Sequence, residues 1–442
     1  MAVAQDMNEL YIEMFNGFSK LSREERFERL LRLGVLSTDD VAFLERGGLQ
    51  SPELAEKFIE NVLGYFQLPY GVATNFVIDG QSKLIPMAVE ETSIIAAASK
   101  TAKWVRDHGR IFTETIGHDI IGQIQIAVVK DLPRLKAVVA EHGDRLVSDA
   151  NREVASGMVR RGGGVKSLTV RTVERPDGRQ MAVIHVLADP CDAMGANVIN
   201  QVCEYLKIPI QELSGESVTM CILSNLVDTK LSKARVEMIG LENDLMQRIV
   251  EASLFALCDP YRAATNNKGV LNGIDPILIA TGNDWRAVEA GVHAYAARDG
   301  QYRSITKWWV EDQKLIGEFI APVVVGIVGG VTHLHPGAKM SLQMLDVASA
   351  DELGRVCAAV GLVQNLGALR ALTTVGIIEG HMKLHIRNLT LGAGATEGES
   401  PIVQKRLEQI LALHKRISLQ NAIEVLKELR SQKKSLAAQE QV

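Results

Sequence analysis

Residues 117–225 contain the pattern that most restricts the fold of this chain. The stretches "IIGQIQIAVV", "VKSLTVRTV", "MAVIHVLA" and "SVTMCILS" read as four short β-strands. The segment "ERPDGRQ" joins the middle two, and its Pro-Asp-Gly is typical of a hairpin turn. Helical patterns, "LPRLKAVVAEHGDRLVSDANRE" and "AMGANVINQVCEYL", fill the other two connections. The order β-α-β-β-α-β predicts a ferredoxin-like unit, and its length is natural for an inserted domain.

The chain on either side of this insert has a different pattern. Residues 1–116 and 226–376 alternate long helices with glycine-rich strands, which predicts one discontinuous large domain and an α+β fold overall. The tail, 377–442, is again distinct and helical. The apolar run "PILIAT", 276–281, reads as a buried strand with a lone cation, Lys268, on one side and a lone anion, Asp284, on the other.

Composition excludes several classes of protein. The net charge of -5 provides no basic face, so nucleic acid is not expected as a partner. The five cysteines include no Cys-x-x-Cys pair, which favours a reducing cytoplasm over a disulfide scaffold. The N-terminus has no signal-peptide pattern. We expect no apolar stretch of the roughly 20 residues that a membrane helix needs.

Two glycine-containing segments are candidates for phosphate binding. "DPCDAMGAN", 189–197, runs from a strand into a helix N-terminus, where free N–H groups and the helix dipole favour an anion. "RRGGGVK", 160–166, places glycines between cations. No G-x-G-x-x-G follows a strand, so a Rossmann domain is not supported. Each segment taken alone is also compatible with an ordinary capped turn.

The remaining polar motifs have simple structural alternatives. Glu90 and Glu91 precede an alanine-rich helix, where acidic residues are common because of the helix dipole. His381 and His385 are four residues apart, a spacing that can bind metal, but no Glu or Cys partner stands at a matching spacing. We therefore expect no metal.

Taken together, the motifs resemble class II 3-hydroxy-3-methylglutaryl-coenzyme A (HMG-CoA) reductases, the soluble prokaryotic form of that family. The matching stretches follow the family's order and spacing over about residues 15–390. They are "ENVLG" (60–64), "VEETS" (89–93), "DAMGAN" (192–197), "DPYRAATNNKG" (259–269), "GNDWRAVEAG" (282–291), "QNLGALRAL" (364–372) and "GHMKLH" (380–385). One position departs from the family's pattern, because Thr92 stands where a proline is usual.

The resemblance implies a four-electron reduction of HMG-CoA to mevalonate and coenzyme A, through mevaldyl-CoA and mevaldehyde. It implies that Lys268 stabilises the substrate oxyanion and that Asp284 orients this lysine. It also implies that Glu91 donates a proton to that oxygen and that His381 protonates the departing thiolate. By the same resemblance, the substrate residues are Ser93, Arg262, Asn225, Asn272 and Gln364, and the cofactor residues are Asp192, Met194, Gly195 and Asn197.

Cofactor choice and assembly are also implied. The loop that discriminates between cofactors in the family contains Glu153, but also Arg152, Arg160 and Arg161. The excess of cations favours NADPH over NADH, with Arg152 among the cofactor-binding residues. The family's active site forms between two subunits, so a homodimer is the minimum unit and larger symmetric oligomers are compatible. The tail, residues 377–442, resembles the family's flap, which carries His381.

Two alternatives to a biosynthetic reductase stay open. The same enzyme could oxidise mevalonate in catabolism. The second alternative is a regulator that binds coenzyme A or a nucleotide and has an inactive site. The complete set of predicted catalytic residues argues against it; these are Glu91, Lys268, Asp284 and His381.

Overall fold

The chain combines helices with two β-sheets, as expected for an α+β protein. A computed structural model describes residues 10–374, 377–414 and 416–439, including their side chains except those of 377–384 and 433–439. The described residues form two compact units. The larger contains the chain up to Glu90 and Ile94–Gly367, and the smaller contains Glu91–Ser93 and the chain from Ala368 onward.

The first sheet of the large unit has six strands in the order β2-β1-β3-β8-β10-β9. All neighbours are antiparallel except β1 and β3. Its strands are β1 Tyr70–Ile78, β2 Gln81–Ala88, β3 Gly109–Ile116, β8 Leu231–Met238, β9 Thr306–Glu311 and β10 Lys314–Ala321.

The second sheet is built from the region that the sequence identifies as an insert. Its antiparallel order is β5-β6-β4-β7, from β4 Ile120–Ile126, β5 Gly164–Glu174, β6 Gln180–Asp189 and β7 Met220–Ser224. Alternate residues of β4, such as Ile124 and Ile126, are buried in a core to which the connecting helices contribute Leu146 and Leu206. The Pro-Asp-Gly turn lies between β5 and β6 as predicted.

The helices begin and end at residues whose local chemistry explains their bounds. Ser22 and Glu25 form a capping box, with Ser22 Oγ accepting from the N–H of Glu25 at 3.2 Å. The large unit contains α1 Arg23–Arg32, α2 Thr38–Glu45, α3 Ile94–His108, α4 Leu132–Glu153, α5 Ser156–Arg160, α6 Ala196–Ser214, α7 Asn243–Cys258, α8 Pro260–Ala280, α9 Trp285–Ala296, α10 Gly330–Leu334, α11 Pro336–Leu345 and most of α12 Ala350–Thr373.

The predicted strand over 276–281 is wrong, because these residues end α8. Asp259 caps this helix by accepting from the N–H of Arg262 at 2.8 Å, and Pro260 takes its first position. Ile274, Ile277 and Leu278 are fully buried. A helix this buried shows an apolar run that periodicity alone cannot distinguish from a strand.

Helix α12 corrects the statement that no apolar stretch is long enough for a membrane. Ala350–Thr373 meets that length and composition, but 67% of its apolar window is buried inside the protein. Val360, Leu362 and Leu366 have no exposed surface. The helix has the properties of the core helix of a folded domain.

The two backbone connections between the sheets are held together at the start of α12. Thr229 Oγ1 donates to the carbonyl of Asp119 at 2.6 Å, which links one connection to the other. Asp351 pairs with Lys230 at 2.8 Å and with His118 at 2.9 Å. Burial raises the pKa of Asp351, but Lys230 and His118 outweigh it and hold that pKa below its usual value.

The smaller unit contains three helices, α13 Ile377–Gly392, α14 Ser400–His414 and α15 Leu419–Gln439. Val403, Leu407, Ala422 and Leu426 pack in its core. Ser418 caps α15, with its Oγ accepting from the N–H of Asn421 at 3.3 Å.

Candidate active site

Helix α8 carries three of the predicted site residues. Arg262 lies in its first turn, and Lys268 and Asn272 are four residues apart and share one face. Burial lowers the pKa of the Arg262 guanidinium, and no carboxylate of the described residues pairs with it. A half-buried, unpaired guanidinium is suited to bind a carboxylate. Lys268 itself is exposed within this chain.

Asp284 lies at the start of the next helix, α9, and no strand separates it from α8. Its Oδ1 accepts from the N–H of Ala287 at 3.2 Å and from Arg286 Nε at 3.4 Å, so it is the N-cap of α9. Its side chain is 39% exposed. The carboxylate therefore has a structural role in α9 and is also accessible to solvent.

Asn283, which precedes Asp284, joins this helix pair to the predicted cofactor loop. Its Oδ1 accepts from the N–H of Gly326 at 2.8 Å. A Cβ at Gly326 would lie 2.7 Å from the backbone nitrogen of Met194, so only glycine fits. The neighbouring N–H of Ile327 donates to the carbonyl of Asp192 at 2.9 Å. Neither Asn283 nor Gly326 was predicted from the sequence, although "GND" places Asn283 beside a predicted catalytic residue.

The start of α6 has the properties of an anion site. Gly195 is its N-cap with a φ of 84°, which favours glycine, and no side chain caps the helix. The first-turn N–H groups, including that of the exposed Asn197, therefore have no side-chain acceptor from the N-cap. The side chain of Asp192 does not cap α6, because its Oδ1 accepts a hydrogen bond from the N–H of Ala350 at 3.0 Å.

The structure brings the two candidate phosphate-binding segments together. Gly164 of β5 pairs with Asp189 of β6, and Cys191 Sγ donates to the carbonyl of Arg161 at 3.5 Å. Arg160 and Arg161 are exposed beside this junction. The glycine triplet and the start of the "DAMGAN" loop thus form one surface.

Arg152, in contrast, is already engaged. Its guanidinium binds Asp149 and Glu153, each at 2.7 Å. These two carboxylates raise the pKa of Arg152. They pair with the guanidinium that was expected to bind the cofactor. The exposed cations of the neighbouring "RRGGGVK" segment are Arg160, Arg161 and Lys166.

A small cleft, open to solvent, lies between the cofactor loop and the segment after β7. Met194 lines it from the loop, Asn225 lines it from the segment after β7, and Ala287 lines it from α9. Its lining is mostly apolar, as is usual for sites that bind small organic molecules. The structure thereby brings together one predicted cofactor residue and one predicted substrate residue.

The "VEETS" segment has a strained backbone. Ser93 has a φ of 79°, which is rare for a residue with a side chain, and its buried Oγ has no hydrogen-bond partner among the described residues. Such strain is typical of functional segments. Glu91, in the same segment, is exposed within this chain.

The other predicted residues are found in three different environments. Gln364 is buried on α12, and its Oε1 has no partner in the described part of the chain. His381 lies on α13, but its side chain is outside the described residues. His385 is exposed, and the described residues contain no group of three or more metal-ligand side chains.

Comparison with known proteins gives the class and then the family. An uncapped, glycine-started helix beside a mostly apolar cleft is the class of site that suits an anionic organic ligand such as a nucleotide. The profile of hydroxymethylglutaryl-coenzyme A reductases matches residues 22–386. The chain is 43% identical to 3-hydroxy-3-methylglutaryl-coenzyme A reductase of Archaeoglobus fulgidus, over 94% of each protein. It therefore belongs to the HMG-CoA reductase family.

Solved structures agree with this assignment. An HMG-CoA reductase of Streptococcus pneumoniae superimposes with a TM-score of 0.79 at 37% identity, covering 94% of this chain and 99% of that one. The class II enzyme from the same organism, solved with NADPH in open conformations, gives a TM-score of 0.78 at 37% identity over 81% of this chain and 100% of that one.

Proposed function

We propose that this protein reduces HMG-CoA to mevalonate and coenzyme A, using two equivalents of NADPH or NADH. The cleft carries the proposal, because it is lined both by Met194 of the cofactor loop and by Asn225 of the substrate set. The reaction is a four-electron reduction by way of mevaldyl-CoA and mevaldehyde. We place it in the cytoplasm, in agreement with five free cysteines.

The ferredoxin-like unit, residues 117–225, is proposed to hold the nicotinamide cofactor. Its residues fit a dinucleotide, because the N–H groups at the start of α6 have no side-chain cap and can bind a pyrophosphate. When bound, the nicotinamide supplies the reducing equivalents. Arg160 and Arg161 would contact a 2′-phosphate and favour NADPH.

Arg262 is proposed to bind the carboxylate of the substrate. Its guanidinium is half-buried and has no carboxylate partner among the described residues, so a bound anion would satisfy it. Ser93, Asn272 and Gln364 complete the polar substrate set. The buried Oγ of Ser93 and Oε1 of Gln364 each have an unused hydrogen-bonding capacity that a ligand can satisfy.

Lys268 is proposed to stabilise the oxyanion that develops in each reduction. A fixed cation is effective when water is excluded, yet Lys268 is exposed in the single chain. The substrate and a second subunit would supply that cover. Asp284 then orients the ammonium, and its position as the N-cap of α9 fixes its carboxylate.

Two proton transfers complete the proposed mechanism. Glu91 protonates the substrate oxygen that Lys268 stabilises. His381 protonates the thiolate of coenzyme A as it leaves, a task suited to imidazole because its reference pKa is near neutrality.

A homodimer is proposed as the functional unit. Leu63 of "ENVLG" and the nearby Phe66 are 103% and 93% exposed, although both side chains are apolar. Neighbouring apolar side chains exposed to this extent are typical of an association surface. A second copy of the chain would cover them.

Turnover with HMG-CoA tests the proposed activity directly. Purified protein should oxidise two equivalents of NADPH for each mevalonate formed, followed by cofactor absorbance and product chromatography. Arg262→Ala should raise KM for HMG-CoA by about tenfold or more, because it removes a charge-assisted bidentate contact. Arg298→Ala, which removes a cation stacked on Tyr295, is the matched control. Cofactor oxidation that is independent of HMG-CoA would contradict the proposal.

A further inference from the structure

A series of hydrogen bonds connects the start of helix α9 to the predicted cofactor loop. Asn283 stands directly before Asp284, the N-cap of α9, and its Oδ1 accepts from the N–H of Gly326 at 2.8 Å. The next residue, Ile327, donates its N–H to the carbonyl of Asp192 at 2.9 Å. One short segment after β10 therefore contacts a predicted catalytic helix on one side and the cofactor loop on the other.

The side-chain amide of Asn283 is held in one orientation. Its Nδ2 donates to Thr281 Oγ1 at 3.0 Å, and this buried hydroxyl donates to the carbonyl of Ile277 at 2.8 Å. A backbone N–H can only donate, so the amide oxygen is the atom that faces Gly326. Both ends of the amide are therefore used, and the contact with Gly326 is fixed relative to the end of α8.

The segment after β10 packs directly against the backbone of the cofactor loop. A Cβ placed on Gly326 would lie 2.7 Å from the nitrogen of Met194 and 3.3 Å from the carbonyl oxygen of Asp192. Contacts this close leave no layer of water or side chains between the two segments. A shift of Gly326 would therefore move the loop with it.

Helix α9 meets the insert at a second point. A Cβ placed on Gly291 would lie 2.5 Å from the carbonyl oxygen of Asn225, which follows β7. Gly291 comes seven residues after Asp284, so it lies two turns further along the same side of the helix. Between these two ends, Ala287 of α9 lines the cleft that Met194 lines from the loop. The contacts at both ends therefore set the separation between α9 and the cofactor loop.

We propose that Asn283 positions the cofactor loop relative to the catalytic helices, and so sets the distance between the bound nicotinamide and the substrate. The inference rests on the proposed function, in which the 192–197 loop binds the cofactor and Lys268 stabilises the substrate oxygen. The rate of hydride transfer to the substrate carbonyl depends steeply on this distance, and a misplacement of about 1 Å can cost about 100-fold. Asn283 acts through Gly326, so it is a positioning residue and not a catalytic one.

Steady-state kinetics with a deuterated cofactor test this role. Asn283→Ala removes the acceptor of the Gly326 N–H and should lower kcat by about 10- to 100-fold, because both ligands still bind but at the wrong separation. KM for HMG-CoA should change little. With NADPH deuterated at the transferred position, the isotope effect on kcat should be larger in Asn283→Ala than in the wild type, because hydride transfer has become slower relative to binding and release. Partial unfolding would lower kcat without changing the isotope effect.

A conservative variant and a matched control separate the positioning role from loss of a hydrogen bond in general. Asn283→Asp keeps an oxygen acceptor for Gly326 and should restore most of kcat and the wild-type isotope effect. Gln211→Ala removes a similar bond, because the half-buried Gln211 accepts from the N–H of Val218 at 2.9 Å. Gln211 lies in the last turn of α6, at the opposite end from Gly195, so this variant should keep the wild-type isotope effect.

Amide hydrogen exchange gives a readout that does not depend on turnover. In the protein without ligands, the N–H of Gly326 is hydrogen-bonded to Asn283 and should exchange slowly. Asn283→Ala should accelerate exchange in the peptide that covers residues 322–328. Asn283→Asp should restore slow exchange there, and Gln211→Ala should leave it unchanged.

Each contrary result has a defined meaning. A loss of kcat with an unchanged isotope effect would overturn the inference and give Asn283 a structural role. Equal exchange of residues 322–328 in the wild type and Asn283→Ala, or equal kcat in these two proteins, would overturn it as well and leave the proposed function in place. A wild type that does not reduce HMG-CoA would overturn the proposed function and the positioning role together, so the two failures are distinguishable.

Discussion

The carboxylate of Asp192 accepts a hydrogen bond from the backbone N–H of Ala350, with 3.0 Å between Oδ1 and the nitrogen. The two residues are 158 positions apart, and each begins a functional element. Asp192 opens the loop that leads into α6, and Ala350 is the first residue of the core helix α12. The cofactor loop is therefore fixed to the helix that forms the core of the large unit.

Asp192→Ala should weaken both folding and cofactor binding. It leaves an N-terminal N–H of α12 without its acceptor, which costs about 1 to 2 kcal/mol in unfolding free energy. The loosened loop should raise KM for the nicotinamide cofactor more than KM for HMG-CoA. Asp192→Asn keeps an oxygen acceptor and should recover most of both losses. Denaturant titration and initial rates measure the two effects, and an unchanged cofactor KM in Asp192→Ala would argue against this anchoring.

Lys268→Ala should lower kcat by about 100- to 1,000-fold, the usual cost of removing an oxyanion donor. The loss should affect HMG-CoA and mevaldehyde alike, because both develop charge on oxygen. Lys307→Ala, which removes a lysine lying over the Trp309 ring, is the matched control. Circular dichroism should show an unchanged fold, and near-normal turnover would exclude Lys268 as the oxyanion donor.

His381→Ala should separate the two halves of the reaction. Mevaldehyde has no sulfur to release, so this variant should lose about 100- to 10,000-fold with the thioester and keep most of its rate with the aldehyde. His385→Ala changes an exposed histidine one turn further along α13 and serves as the control. Equal losses on both substrates would instead assign His381 to positioning.

Cofactor preference should depend on Arg160 and Arg161 more than on Arg152. The first two are exposed at the glycine triplet, whereas Asp149 and Glu153 already neutralise Arg152. Changing Arg160 or Arg161 to Ala should reduce the NADPH-to-NADH ratio of kcat/KM by about tenfold, as expected for one charge-assisted contact. Arg152→Ala should change it little. A larger shift in Arg152→Ala than in the other two would reverse this assignment.

Leu63→Glu and Phe66→Glu should dissociate the proposed dimer. Each places a charge where an apolar side chain is almost fully exposed, so the single chain should fold normally. Sedimentation velocity should show a monomer with little reductase activity. Leu413→Glu, at a leucine 79% exposed on α14, should remain dimeric. Retention of the dimer in both "ENVLG"-region variants would locate the subunit contact elsewhere.

The sequence predicts local structure well where side chains interact with nearby backbone. Ser22 with Glu25, Ser418 with Asn421 and the Pro-Asp-Gly turn all behave as their spacing indicates. The run 276–281 is different, because burial on every side removes the polar face that distinguishes a helix from a strand.

The site is predictable only in part from the sequence, because the fold sets contacts between its residues that their spacing does not show. The resemblance identifies Lys268, Asp284 and Met194 by position, and the structure adds how their neighbours hold them. Asn283 and Gly326 meet through the packing of the fold, and no sequence spacing encodes that contact. The same holds for Arg152, whose carboxylate partners cancel a charge that composition alone would assign to the cofactor.

The convergence of both sheet connections on Asp351 has a consequence for domain exchange. A chimera that replaces the β4–β7 sheet and its helices would cut the chain at His118 and Lys230. The carboxylate that pairs with both of these residues is that of Asp351 on α12, more than 100 residues further along the chain. The "DAMGAN" loop depends on the same helix start through Ala350. A functional graft between relatives must therefore carry residues 349–351 with the insert, as a discontinuous cassette.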